Sequence, residues 1–115
     1  MPRPQKEGID YFPLDVNFFI DKKIRILKAR YGADGITIYL YLLCEIYRAG
    51  YYIKFDDDML YVISNDLKMS PDKVKQVLKF LLERSLLDST LFQSDTILTS
   101  AGIQKRFQLA VKERA

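Results

Sequence analysis

Residues 69–87 read MSPDKVKQVLKFLLERSLL, and the rest of the chain is organised around them. Ser70 offers the hydroxyl of an N-cap, which accepts from a first-turn N–H that no helix carbonyl reaches. Pro71 follows at the first helical position, where its missing N–H costs nothing, and Asp72 complements the positive end of the helix dipole. Val74, Val77, Leu78, Leu81 and Leu82 then recur at helical spacing and form one apolar face. Lys73, Gln76, Lys79 and Glu83 lie opposite, with Lys75 at the border. Phe80 falls on that wet side of the wheel, out of keeping with its neighbours.

Upstream, Asp56, Asp57 and Asp58 open a second helix that runs to about Leu67 and buries Met59, Leu60, Val62, Ile63 and Leu67. Consecutive carboxylates on a helix point in different directions, and no second acidic cluster completes a cation shell. Capping and dipole complementarity therefore explain them better than a metal does. Lys68 and Met69 make a tight turn into the Ser70 helix, which is the helix-turn-helix outline. Downstream, Leu86 and Leu87 resume as a strand. Thr96, Ile97, Leu98 and Thr99 look like its partner, joined through STLFQSD as a hairpin or wing. Ser100 caps a last helix with Ile103, Phe107, Ala110 and Val111 on one face and Lys105, Arg106, Lys112 and Arg114 on the other.

Towards the N-terminus, residues 51–55 alternate and are aromatic and β-branched, as in a short strand. Before them GITIYLYLLCEIYR is apolar nearly all round, so this helix belongs at the centre of the core, started by Asp34 and closed by Gly50. Tyr39, Tyr41 and Tyr47 read there as core side chains with wet tips, and Cys44 as a small core residue. Gly32 ends a preceding amphipathic helix, capped by Asp15 or Asn17, whose inner stripe is Ile20, Ile24, Leu27 and Tyr31. Lys22, Arg25, Lys28 and Arg30 project away from that stripe, while Ile26 falls off it. Residues 9–14 are an extended apolar approach, with Pro13 holding Phe12 out of the helical region. Residues 1–8, polar and with two prolines, read as a flexible segment ahead of a single domain over 9–115.

The 115 residues fit one domain, and the net charge of +3 permits an acidic partner without demanding one. There is no histidine, which excludes imidazole zinc sites and histidine acid–base catalysis. A single cysteine forms no internal disulfide, as suits a reducing, cytoplasmic setting. The N-terminus lacks the apolar stretch of a signal peptide, and no apolar run approaches the roughly 20 residues of a membrane span. No glycine-rich phosphate loop, activated thiol or carboxylate pair appears, so the sequence does not read as an enzyme and calls for no cofactor or metal.

Helix, helix, short strand, helix, helix, two-stranded wing, helix is the winged helix-turn-helix order with an extra helix at each end. The expected class is mainly α (α+β) with a small antiparallel sheet. Two segments also resemble a known family: YFPLDVNFFIDKKIRILKARYGADGITIYLYLLCEIYRAGYY at 11–52 and ILTSAGIQKRF at 97–107. They look like the N-terminal domain of phage replisome-organiser proteins, which is similar to the winged-helix N-terminal domain of DnaD-type replication initiation proteins. The resemblance implies a domain used in assembling a replication complex, through DNA binding, self-association or both, with a replicative helicase or helicase loader as a further partner.

Two functional readings follow. For DNA binding, the N-terminal half of a second helix reaches base edges. Gln76 is then the base reader, ideally of adenine, and Ser70, Lys73, Lys75 and Lys79 contact the backbone. Arg25, Lys28, Lys105 and Arg106 are additional phosphate contacts. Against it, the wing carries Asp95 and no lysine or arginine, and the helix before the Ser70 helix starts with three aspartates that would repel the DNA backbone if they faced it. For a protein-interaction module making homodimers or larger assemblies, Ile26, Phe80, Leu91 and Phe92 are the apolar residues available to form a contact patch.

Overall fold

A computed structural model describes residues 8–114, with side chains to Lys112. Five α-helices and two short strands make up the described residues: α1 (Lys22–Ala49), β1 (Ile53–Lys54), α2 (Asp57–Leu67), α3 (Pro71–Glu83), α4 (Ser89–Asp95), β2 (Ile97–Leu98) and α5 (Ala101–Arg114). The expected mainly helical class with a small antiparallel sheet is what forms. The expected flexible segment lies outside the described residues except for Gly8. A Cβ on Gly8 would sit 2.1 Å from the carbonyl oxygens of Tyr47 and Arg48, and the next amide, of Ile9, donates to the Tyr47 carbonyl at 3.1 Å. That approach admits only glycine.

Helix α1 begins later than the spacing suggests. Asp21 caps it, accepting from the amides of Lys23 and Ile24 at 2.9 and 3.3 Å. Phe18–Ile20 precedes it as a single 3-10 turn, which leaves Ile20 exposed rather than on the inner stripe. The helix breaks at Gly32, whose φ of 67° and ψ of −155° belong to a region open essentially to glycine alone. Gly35 sits one turn on, where a Cβ would lie 2.8 Å from that of Tyr31. The two glycines let the halves of α1 bend so that Ile24 and Leu27 on one side, and Ile38, Leu42 and Ile46 on the other, face a common core. Gly32→Ala is therefore expected to lower stability by about 1–3 kcal/mol; a melt followed by circular dichroism with no loss would contradict the break.

The second half of α1 is the central helix, as its composition requires. Two of its tyrosines have their hydroxyls partnered: Tyr41 donates to Asp66 at 2.6 Å, and Tyr47 accepts from Arg106 at 2.9 Å. Burial pushes the Tyr39 hydroxyl up to about 12, helped by Tyr47 and Asp21 nearby. Burial and the Asp66 hydrogen bond do the same for Tyr41. A folded-state value above the unfolded one near 10 means the contribution is complete below pH 10 and lost as pH climbs from about 10 to about 12. An absorbance titration should find these two tyrosines ionising near pH 12; ionisation of both near 10 would show their hydroxyls to be open to water. Cys44, in contrast to the expectation, is exposed on the outer side of the helix beside Glu45 and Arg48.

Helices α2 and α3 form as the capping signals indicate. The Asp56 carboxylate accepts from the Met59 amide at 2.8 Å, and the Ser70 hydroxyl from the Lys73 amide at 3.2 Å. Lys68 takes the left-handed conformation that closes α2, with φ 56°. The Ser64 hydroxyl reaches the Met69 carbonyl across the turn, so residues 68–70 are tied to α2. Val62, expected inside, is exposed, because α2 rests on α3 through Leu60 and Ile63.

The hairpin does not form. STLFQSD is helical: it is α4, capped by Asp88, which accepts from the Leu91 amide at 2.9 Å. Strand β2 instead pairs antiparallel with β1, Ile53 opposite Leu98 and Lys54 opposite Ile97. One backbone bond of the expected pairing survives, from the Asp88 amide to the Thr99 carbonyl at 2.8 Å. Buried Thr99 and Gln104 both donate to the Tyr51 carbonyl, at 2.9 and 3.0 Å, and fasten the start of α5 to the strand. Beyond Ile103 this helix keeps little cover, and Phe107, Leu109 and Val111 are exposed.

Candidate nucleic-acid interface

Helix α3 divides cleanly. Val74, Val77, Leu78 and Leu81 are buried against α1 and α2, while Lys73, Lys75, Gln76 and Lys79 are exposed. The burial of the first set fixes the rotation of the helix, and so fixes the direction of the second. Lys75 and Gln76 are both exposed, Lys75 beside the groove that α3 forms with α2 and α4, and Gln76 on the side of Arg30 and Phe80. Lys79 is 78% exposed, with its ammonium 3.9 Å from Glu83, a loose contact that a stronger acceptor displaces readily. Lys73 is held more firmly: Asp34, expected to cap the second half of α1, instead accepts from its ammonium at 2.6 Å. Ser70 is exposed and engaged as the cap.

The outlying phosphate contacts divide differently. Arg25 and Lys28 are exposed on the first half of α1, the Lys28 ammonium 5.8 Å from the centre of the Phe19 ring. Lys105 is exposed on α5. Arg106 is exposed but engaged by the fold: it donates to the Tyr47 hydroxyl, lies over that ring and helps to line a cavity with Phe12 and Ser100. None of the residues lining that cavity comes from α3.

Of the four apolar residues expected to form a contact patch, Phe80 has no such role in this fold, being only 2% exposed. Tyr31 meets its ring edge-on at 5.7 Å, and the guanidinium groups of Arg30 and Arg84 each lie 5.4 Å from its centre. A position that is wet on an isolated wheel is thus covered by α1 and by the α3 terminus. Ile26 is half-buried against the core. Leu91 and Phe92 sit on α4, Leu91 exposed at 37% and Phe92 packed 6.3 Å from Phe55. Phe92 belongs to the wall of a groove of about 870 Å³ between α2, α3 and α4, with Leu60, Leu78 and Leu82 at its base and Lys75 and Lys79 on one side.

Arg30 and Arg84 stand outside the set expected from sequence. Arg84 carried a signal, lying four residues after Phe80 and hence on the same helix face. Arg30 was legible as one of the basic residues projecting from the first helix, but its meeting with α3 was not, since that depends on the bend in α1. With Tyr31, Gln76, Lys79, Phe80 and Glu83 it lines a shallow cavity of about 310 Å³ on the exposed side of α3. The surface so assembled offers amide, ammonium and guanidinium groups together with the Glu83 carboxylate. No set of three or more candidate ligands comes together for a metal among the described residues, and no described helix is long and apolar enough to cross a membrane.

The chain is similar over 114 residues, at 33% identity, to an uncharacterized phage-related protein, Lin1244/Lin1753, of Listeria innocua serovar 6a. The match takes in 99% of this chain and 37% of that protein, so the chain spans little more than a third of its relative. No solved structure matches. The family model that matches, over residues 11–103, is the one described as Lin1244/Lin1753-like, N-terminal, which covers the bent α1, the α2–α3 pair and both strands. The chain belongs to the Lin1244/Lin1753-like N-terminal family.

Proposed function

We propose that the chain is the DNA-binding domain of a phage or prophage protein, with α3 as recognition helix. The observation that carries the reading is the division of α3, whose buried face points Lys75, Gln76 and Lys79 outwards on a rigid, well-capped helix. The three-residue link from α2 and the return of β2 to pair with β1 support a winged-helix arrangement in which α4 stands where the hairpin wing was expected. The phage-related relative supports the phage setting. The resemblance to replisome organisers and the DnaD type extends the reading to replication initiation, with a helicase or its loader as protein partner, in the cytoplasm and without catalysis or cofactor. Gln76 reads a base edge in the major groove while the lysines hold phosphates.

Fluorescence anisotropy with duplex DNA at two salt concentrations tests this. Three to five phosphate contacts should make log K fall with log salt at a slope of about −2.7 to −4.5. Absence of binding at low salt would overturn the proposal.

A second reading, self-association, is favoured by the groove between α2, α3 and α4, an apolar recess beside exposed Leu91. Sedimentation should then show a concentration-dependent dimer that Phe92→Glu dissolves, whereas a monomer at high concentration would dismiss it.

A further inference from the structure

Arg30 and Arg84 reach the Phe80 ring from different helices, one from the first half of α1 and one from the end of α3. Both guanidinium groups lie 5.4 Å from the ring centre, so they stand no further apart than twice that distance. Both residues are exposed, and neither is within ion-pair distance of a carboxylate among the described residues. Glu83, the one acid that lines their cavity, stands 3.9 Å from the Lys79 ammonium. Stacking on an aromatic face leaves the edge of a guanidinium, with its N–H groups, pointing away from the ring. Two such forks, pre-organised on a buried ring, lose less side-chain freedom on binding an anion than free arginines do.

We propose that Arg30 and Arg84, held on Phe80, form a phosphate clamp that grips the backbone of duplex DNA beside the groove occupied by α3. The inference rests on the DNA-binding reading and adds to it a contact from the first half of α1. It gives the break at Gly32 a functional consequence: the bend delivers Tyr31 and Arg30 to α3. Arginine suits the task better than lysine, because its planar fork meets two phosphate oxygens at once.

Arg30→Gln and Arg84→Gln remove the charge and keep most of the stem over the ring. Each is expected to weaken binding to a duplex of fixed sequence by about threefold to tenfold at low salt, and to flatten the log K against log salt slope by roughly one unit. The loss should be the same for unrelated duplex sequences, since phosphates carry no sequence. Arg30→Lys and Arg84→Lys should recover the slope and only part of the affinity. Melting temperatures close to that of the unchanged protein keep the comparison free of unfolding. Glutamine variants that fold and bind like the unchanged protein, in an assay where Lys75, Gln76 and Lys79 variants lose binding, would overturn the clamp and leave α3 as reader. An unchanged protein that binds no DNA would overturn both.

Discussion

Replacing Phe80 by alanine is expected to lower the unfolding free energy by about 3–5 kcal/mol, the range for truncating a large buried aromatic side chain. The ring is 2% exposed, meets Tyr31 edge-on, and lies beneath the guanidinium groups of Arg30 and Arg84. Its loss opens a cavity where α1 crosses α3 and removes the platform for both guanidinium groups. Urea unfolding should show a lower midpoint with an unchanged slope. A loss below about 1 kcal/mol would place the ring at the surface. Phe80→Glu is expected to destabilise the domain as well, because a carboxylate at this buried position sheds its water and gives up the ring's packing against Tyr31, a loss that the nearby Arg30 and Arg84 offset only in part.

Changing Lys75, Gln76 and Lys79 together to alanine is expected to weaken duplex binding by about a hundredfold to a thousandfold at low salt, from two phosphate contacts and one base contact. The salt slope should fall by roughly two units, as two released counterions require. These side chains are exposed and the apolar face of α3 is untouched, so stability should stay within about 0.5 kcal/mol. Lys73 is left in place because its ammonium already has Asp34 at 2.6 Å, and it contributes less than its neighbours. Binding that survives the triple change would move the interface off α3.

What the sequence made legible was local. Ser70 and Asp56 announce helix starts by hydrogen bonds that span three residues, and both bonds form. The stripe of Val74, Val77, Leu78 and Leu81 needs only the helical period, and the same period assigned Gln76 and Lys79 to the open face with Lys75 at its border. Gly50 and Gly32 mark chain reversals and breaks that only their φ values permit.

What stayed hidden depended on partners distant in sequence. STLFQSD has the threonine, leucine and phenylalanine of a strand, and its helix is decided by the Asp88 cap and by Phe92 packing near Phe55. Ile97 and Leu98 read correctly as a strand but with the wrong partner, because the choice between 86–87 and 53–54 is tertiary. Phe80 looked wet because a single wheel contains no α1. Cys44 looked buried because an apolar helix was taken as enclosed on every side, whereas its outer strip meets solvent. In the site, α3 was legible and the arginines on either side of Phe80 were not, since their meeting depends on the bend at Gly32.

The central claim is that the open face of α3 is where DNA lies. Amide chemical-shift mapping of the isotopically labelled protein during titration with a short duplex tests it most directly. The largest shifts are predicted at residues 70–80 of the Ser70 cap and α3, with smaller ones at Arg30 and Arg84. Shifts confined to α4, α5 or residues 9–20, with α3 unmoved, would contradict it.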